Sequence, residues 1–264
     1  MILLALRLDD HDSNMCLYND GKISYIKTER PKNIKHHAYN NIWEWRHDVQ
    51  EYFNLDVNDI DDIVIVQDTL KYSKTFFRPF NFTAIPCKNL VSPTPAKQLN
   101  HHLAHSYSGW MLGDSEYQVV IDGFGDVHST PTENLYSTTI SVFKNHKLIY
   151  EEVNPMTVDT FRIINSIGVE YEGAAIHCGI KAKSNIDLPG KLMAFKSYGS
   201  VDYDIADNIL KNKKDLSFVI EEQHNKLSKE DHAATIHYVL EQLVLEVFRK
   251  HIPKDAKVFY SGGC

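Results

Sequence analysis

One order of elements runs through this sequence twice: three short strands, a helix, then a further strand. Residues 2–8 form an apolar run that reads as a buried strand, and residues 15–18 and 23–28 follow as two more. Asn19-Asp20-Gly21-Lys22 lies between the last two and carries Asp-Gly, a hairpin turn signal. A polar segment then leads to residues 39–53, where Ile42, Trp43, Trp45, Val49, Tyr52 and Phe53 give a helix its apolar points. Asp61-Asp62-Ile63-Val64-Ile65-Val66-Gln67 holds a short continuous apolar run consistent with a buried parallel strand, and residues 82–87 are a candidate for another. The pattern restarts with strands over residues 117–122, 135–143 and 147–153, the last two joined at Asn145-His146. Helices follow over residues 157–178 and 231–251, then a strand over 257–260. Residues 200–230 are polar and read as surface elements or an insertion. The expected fold is α/β, with mixed sheets flanked by helices. It falls into two related lobes, residues 1–115 and 116–264, with a cleft between them.

The densest chemistry lies in Asn100-His101-His102-Leu103-Ala104-His105. Pro93 and Pro95 precede it, and the absence of proline from residue 96 to 112 suggests a helix over that span. On such a helix His101 and His105 are one turn apart on one face, and two imidazoles so placed can hold one metal ion. A zinc protease would need a glutamate directly after the first histidine, where this sequence has His102. Two histidines make an incomplete site, so a third ligand is required. Ile121-Asp122-Gly123-Phe124-Gly125-Asp126 offers one, a carboxylate at a strand end beside glycines, although the same residues also suit a plain glycine turn.

Composition narrows the function. A net charge of -7 argues against general nucleic-acid binding. Cys16, Cys87, Cys178 and Cys264 are scattered, without a C-x-x-C pair, as expected of reduced thiols in a cytoplasmic protein. The apolar start at Met1 is too short to span a membrane. The sequence stops at Ser261-Gly262-Gly263-Cys264, a strand running into glycines, which reads as a junction cut from a longer protein.

Taken in order, these stretches resemble the carbamoyltransferase family, which carbamoylates nodulation factors and aminoglycoside or cephalosporin antibiotics. His11-Asp12-Ser13 resembles its early His-Asp-x-Ser turn, and Glu29-Arg30 with Lys35-His36 its Glu-Arg...Lys-His segment. His101-His102-Leu103-Ala104-His105 resembles His-His-x-x-His, and Asp122-Gly123-Phe124-Gly125-Asp126 resembles Asp-Gly-x-Gly-Glu. Ser166-Ile167-Gly168 with Tyr171, Gly190-Lys191-Leu192-Met193 with Tyr198-Gly199, and Ser261-Gly262-Gly263 match three further motifs. Departures are Asp126 in place of Glu, His177 in place of an aromatic, and a Gly-Gly-x-x-x-Asn loop present only to its third residue. A downstream aspartate ligand and a carbamoyl-adenylate-forming domain, supplied in cis or in trans, lie outside this sequence.

The resemblance implies a two-lobed actin-like ATPase fold with RNase H-like lobes. It implies an iron-like divalent metal on His101, His105 and Asp122, between the lobes. The implied reaction transfers a carbamoyl group from carbamoyl phosphate, through an ATP-dependent carbamoyl adenylate, to an acceptor hydroxyl, with magnesium-bound ATP as substrate. His11 is the candidate base, with His102 second. Gly123, Gly125, Asp126, Gly190, Lys191, Gly262 and Gly263 are candidates for nucleotide or phosphate binding, and Arg30 and Lys35 for carbamoyl phosphate. The present 264 residues alone are expected to be inactive. Two rivals remain: a threonylcarbamoyl-transfer subunit acting on tRNA, which would need a basic face, and a non-catalytic actin-like module that binds nucleotide or metal.

Overall fold

The computed structural model describes residues 1–8, 11–39, 42–66, 96–109, 113, 115–125, 127–129, 135–157, 163–213, 216, 220 and 226–263. The chain divides into two compact units, Met1–Ala104 and His105–Cys264.

Unit 1 opens with an antiparallel meander, β1 (Ile2–Arg7), β2 (Asn14–Asn19) and β3 (Lys22–Lys27). The turn between β2 and β3 puts Asp20 and Gly21 at φ 45° and 88°, the left-handed pair that Asp-Gly accommodates most readily. The short helix α1 (Glu29–Lys32) and then α2 (Ile42–Phe53) follow. The strands β4 (Asp62–Val66) and β5 (Ala96–Leu99) add in parallel beside β1. The sheet order is β3-β2-β1-β4-β5. Alternation along β1 and β4 turns Leu4, Leu6, Ile63 and Ile65 inward, where they bury with Trp45 and Val49 of α2.

Unit 2 repeats the plan. It contains β6 (Tyr117–Ile121), β7 (Val127–Ser129), β8 (Leu135–Lys144), β9 (Lys147–Met156) and β10 (Val258–Ser261). β6 and β7 both pair with β8, at opposite ends of its length, while β9 pairs with it over both stretches. β10 pairs in parallel with β6. Setting β7 aside, the order β9-β8-β6-β10 is that of the first four strands of unit 1. Three antiparallel strands with parallel strands added beside the first is the RNase H-like topology, so the tandem has the building blocks of the expected actin-like fold.

Between β9 and β10 lie α4 (Ile167–His177), α5 (Leu188–Phe195), α6 (Tyr203–Lys211) and α7 (Lys229–His251). They cover Val119, Ile121, Ile140 and Val142 of the sheet with Ala174, Leu192, Ile209, Ile236 and Val239. α7 starts where the Ser228 hydroxyl accepts from the Asp231 amide at 3.1 Å, and it ends in Arg249-Lys250-His251, which suits the helix dipole.

Three expectations need correction. The histidine helix, α3, spans His101–Ser108, because residues 96–99 pair with β4 and leave no helix there. Its start is set by Asn100, whose Oδ1 accepts from the Leu103 amide at 2.8 Å. The helix expected from residue 157 begins at Ile167, since β9 runs on to Met156 and Met156 bridges to Ile163. The polar stretch 200–230 is not simply surface: Ala206, Ile209, Leu216 and Ile220 from it are buried. Residues 82–87 and 158–162, with Asp126 and Cys264, lie outside the described residues. Among the described residues no helix is long and apolar enough to cross a membrane.

Candidate functional site

All five residues of β6 are buried, so the strand is a rigid base, and the chain leaves it at Asp122. The Asp122 amide donates to Thr139 O at 2.9 Å, continuing the β8 ladder by one residue. Its carboxylate accepts from the Gly123 amide at 2.8 Å. The Ser166 hydroxyl donates to Gly123 O at 2.9 Å, which ties the start of α4 to the same turn, and Gly125 N donates to Ser137 Oγ at 3.2 Å. β10 runs parallel to β6 with Ser261 opposite Val120, so Gly262 and Gly263 come beside Ile121 and Asp122. Gly262 has φ 122°, and a Cβ there would overlap the Ile121 carbonyl oxygen. A Cβ at Gly263 would come 2.9 Å from Asp122 Oδ1. Only glycines let the backbone approach so closely. Two parallel strands thus end at a carboxylate and two glycines, at the carboxyl edge where open α/β sheets bind ligands.

The second turn of α3 is fixed to this end of unit 2 in three ways. The Ser261 hydroxyl donates to His105 O at 3.2 Å. Tyr107 stacks on His146 with ring centroids 4.0 Å apart, and Ser106 Oγ meets His146 Nδ1 at 3.4 Å. Gly109 leaves room for the Phe259 ring, which any Cβ there would enter. His105 Nε2 consequently stands 3.4 Å from Asp122 Oδ2, with both side chains partly exposed. The division between the units falls inside α3, a continuous helix that also carries His101 one turn before His105. His105 and Asp122 each offer a ligand atom at this point, and His101 offers a third donor one helical turn before His105.

These residues fit a divalent ion. Ligand atoms at 2.1 Å from one ion stand about 3.0 Å apart at a right angle and about 3.4 Å apart at the tetrahedral angle. The His105–Asp122 spacing falls in that range. Two imidazoles and one carboxylate are also the donor set of non-haem iron sites with open positions.

A second cluster forms in unit 1 around the turn before β2. His11 Nδ1 lies 2.7 Å from Asp12 Oδ2. Lys27 Nζ bridges Asp12 and Glu29 at 3.1 Å each, and His36 Nδ1 reaches Asp12 at 3.2 Å. The His36 amide donates to Glu29 Oε2 at 3.1 Å. Asp12 and His36 both have φ 55°, a left-handed backbone maintained at a cost by the contacts around it. Burial pushes the Asp12 carboxyl up, but hydrogen bonds from His11, Lys27 and His36 outweigh it and hold the group down to about 2. Asp12 is therefore ionised at neutral pH and accepts from His11 Nδ1, which in the neutral imidazole leaves the lone pair on Nε2.

Other sequence candidates fall elsewhere. His102 is 1% exposed, on a buried face of α3. Gly190 and Lys191 lie within helix α5 rather than a loop, and Lys191 Nζ donates to Lys181 O at 2.6 Å. Arg30 is 81% exposed and its Nε lies 3.7 Å from Glu29, and Lys35 is exposed. From the Glu-Arg...Lys-His segment the structure gathers Glu29 and His36, the neighbours of the residues favoured in the sequence. Arg7, which reaches His101, carried no signal in the sequence, and Ser261, which holds His105, stood out there only as the first residue of the Ser261-Gly262-Gly263 motif. A cavity of roughly 390 Å³ in unit 2, lined by Tyr150, Glu152, Asn154, Lys213 and Glu246 among others, contains none of the predicted residues. Its polar groups pair with one another, Lys213 with Glu246 at 2.5 Å and Asn154 with Glu152 at 3.0 Å.

The RNase H-like topology and a histidine–aspartate end to β6 thus define a tandem α/β protein with a candidate metal centre. The family model described as carbamoyltransferase N-terminus matches residues 71–225, more than half of the chain, and the chain belongs to that family. Among curated proteins none matches significantly. Solved structures with some likeness include YeaZ from Pseudomonas aeruginosa, 11% identical over 58% of this chain with TM-score 0.33. This chain covers 66% of that protein, just under two thirds of its length. An Aquifex aeolicus Ppx/GppA phosphatase is 13% identical over 99% of this chain and 95% of its own, with TM-score 0.34. A Porphyromonas gingivalis protein provisionally assigned as an N-acetylglucosamine kinase is 9% identical over 98% and 84%, with TM-score 0.41. Likeness this slight bears on neither function nor fold, and the fold rests on the strand order above.

Proposed function

We propose that this chain carries the acceptor-modifying half of a carbamoyltransferase. It would move a carbamoyl group from a carbamoyl adenylate, made from carbamoyl phosphate and ATP, to a hydroxyl of a small-molecule or sugar acceptor. The adenylate-forming activity would come from a further domain, in cis or in trans. The observation that carries the reading is the convergence of His105, Asp122, Gly262 and Gly263 at the carboxyl ends of β6 and β10.

His101, His105 and Asp122 would hold a divalent ion, which when bound supplies Lewis acidity at a carbonyl or phosphate oxygen. The amides around Gly262 and Gly263 can approach an anionic group because no Cβ stands in the way. Asp12 fixes the tautomer and orientation of His11, as a carboxylate does for the histidine of a catalytic triad. His11 Nε2 takes the proton of the acceptor hydroxyl while its oxygen attacks the carbamoyl carbon. AMP leaves with the electrons of the broken carbonyl–phosphate bond, and Asp12 stabilises the imidazolium. A base so placed is typically worth about 10²–10⁴ in rate.

The test is carbamoylation of hydroxyl acceptors from carbamoyl phosphate and ATP, with the adenylate-forming domain present, alongside metal analysis. Asp122→Asn should lose both metal and transfer. His11→Ala should lose transfer and keep metal. Bound metal with no turnover of ATP or carbamoyl phosphate would favour the non-catalytic module instead.

A further inference from the structure

Arg7 closes β1 and reaches His101, 94 residues away in sequence, with Nη1 at 3.3 Å from Nδ1. Its Nε donates to His11 O at 3.4 Å. We propose that Arg7 and the divalent ion are alternative partners of His101, so that loading the ion releases the guanidinium. The inference rests on the metal reading of His101 given above.

The argument follows from the donor inventory. A guanidinium has N–H donors, no acceptor, and stays charged, so His101 Nδ1 must present its lone pair to Arg7. In a neutral imidazole the single proton is then on Nε2. A metal ligand needs an unprotonated ring nitrogen. Ligation through Nδ1 uses the lone pair that Arg7 holds. Ligation through Nε2 moves the proton to Nδ1, where an imidazole N–H would face a guanidinium N–H. Either route ends the Arg7–His101 hydrogen bond, and the charge of Arg7 beside a divalent cation acts in the same direction. Its Nε contact with the His11 carbonyl does not involve His101. Arg7 can therefore stay at the His11 turn when His101 leaves, with its Nη groups turned to a new acceptor such as a phosphate or carboxylate oxygen.

Two measurements test this. In metal-free protein, long-range ¹H–¹⁵N spectra, with His101 assigned by its loss in His101→Ala, should show the Nε2–H tautomer. An Nδ1–H tautomer would overturn the proposal whether or not the protein binds metal. Zn²⁺ affinity by chelator competition should then rise in Arg7→Leu by about three- to tenfold, the worth of one modest hydrogen bond. Arg7→Lys, which keeps a donor and the charge, should gain less and guards against a leucine variant that fails to fold. Unchanged or weaker binding in both variants, with wild-type binding abolished by His101→Ala, would sink the proposal and leave the metal reading standing. Binding indifferent to His101→Ala would sink both.

Discussion

Replacing Gly262 by alanine is the sharpest perturbation the structure offers. Its φ of 122° belongs to a region that L side chains rarely adopt, at a cost of about 1–3 kcal/mol. The new Cβ would also overlap the Ile121 carbonyl oxygen and stand 2.7 Å from its carbon. Ile121 is fully buried and paired with Ile140, so it cannot yield without disturbing the centre of the sheet. Overpacking of this kind costs about 1–3 kcal/mol more. A total of about 4 kcal/mol corresponds to a melting temperature lower by roughly 8–16 °C for a chain near this size. Differential scanning calorimetry on the whole chain reads it directly. Gly190→Ala is the control: Gly190 lies in helix α5 with nothing within 4 Å of an added Cβ, so the variant should melt at the same temperature or higher. A fall of less than 2 °C for Gly262→Ala, below the roughly 4 °C that even the smallest sum of about 2 kcal/mol would give, would refute the close approach of β10 to β6.

Three further outcomes are expected. Asp12 titrates at about 2 when folded against 3.8 in the reference state, so its stabilisation is complete above the unfolded value and lost as pH falls through the folded one. The stability gap between wild type and Asp12→Asn should therefore shrink as pH falls from about 5 to 2, by about 1 kcal/mol after solvent screening, as urea midpoints would show. Asp48 is buried and accepts from Tyr39 Oη at 2.6 Å and Lys32 Nζ at 2.9 Å, so Asp48→Ala strands both donors and should cost about 3–5 kcal/mol in the same titration. Gly109→Ala drives a methyl into the Phe259 ring; it should cost about 1–3 kcal/mol and also weaken Zn²⁺ binding by displacing His105.

The local parts of the fold were legible in the sequence. Asp20-Gly21 and Asn145-His146 mark hairpins, and all four residues adopt the left-handed backbone such turns need. The continuous apolar runs of β1 and β4 made their burial readable. Non-local pairing was not readable: nothing in residues 96–99 says that they join β4 rather than begin α3. At the candidate site, the spacing of His101 and His105 and the glycines after β6 and β10 carried a signal because they depend on backbone geometry. Side-chain direction did not. Lys27, Glu29 and His36 meet at Asp12 only because two left-handed residues, Asp12 and His36, fold the segment back on itself.

The parallel pairing of β10 with β6 also affects how the protein is made. Its two strands are far apart in the chain, with β7, β8, β9 and α4–α7 between them. Pairing so distant in the chain is slow to form, and it cannot begin on the ribosome until β10 has emerged. Asp122 is synthesised early and then waits, at an unpaired edge of β6, for Gly262 and Gly263. The end of β6 therefore gains its two glycines only once β10 has emerged, and an ion that needs the finished geometry would bind only after that strand closes.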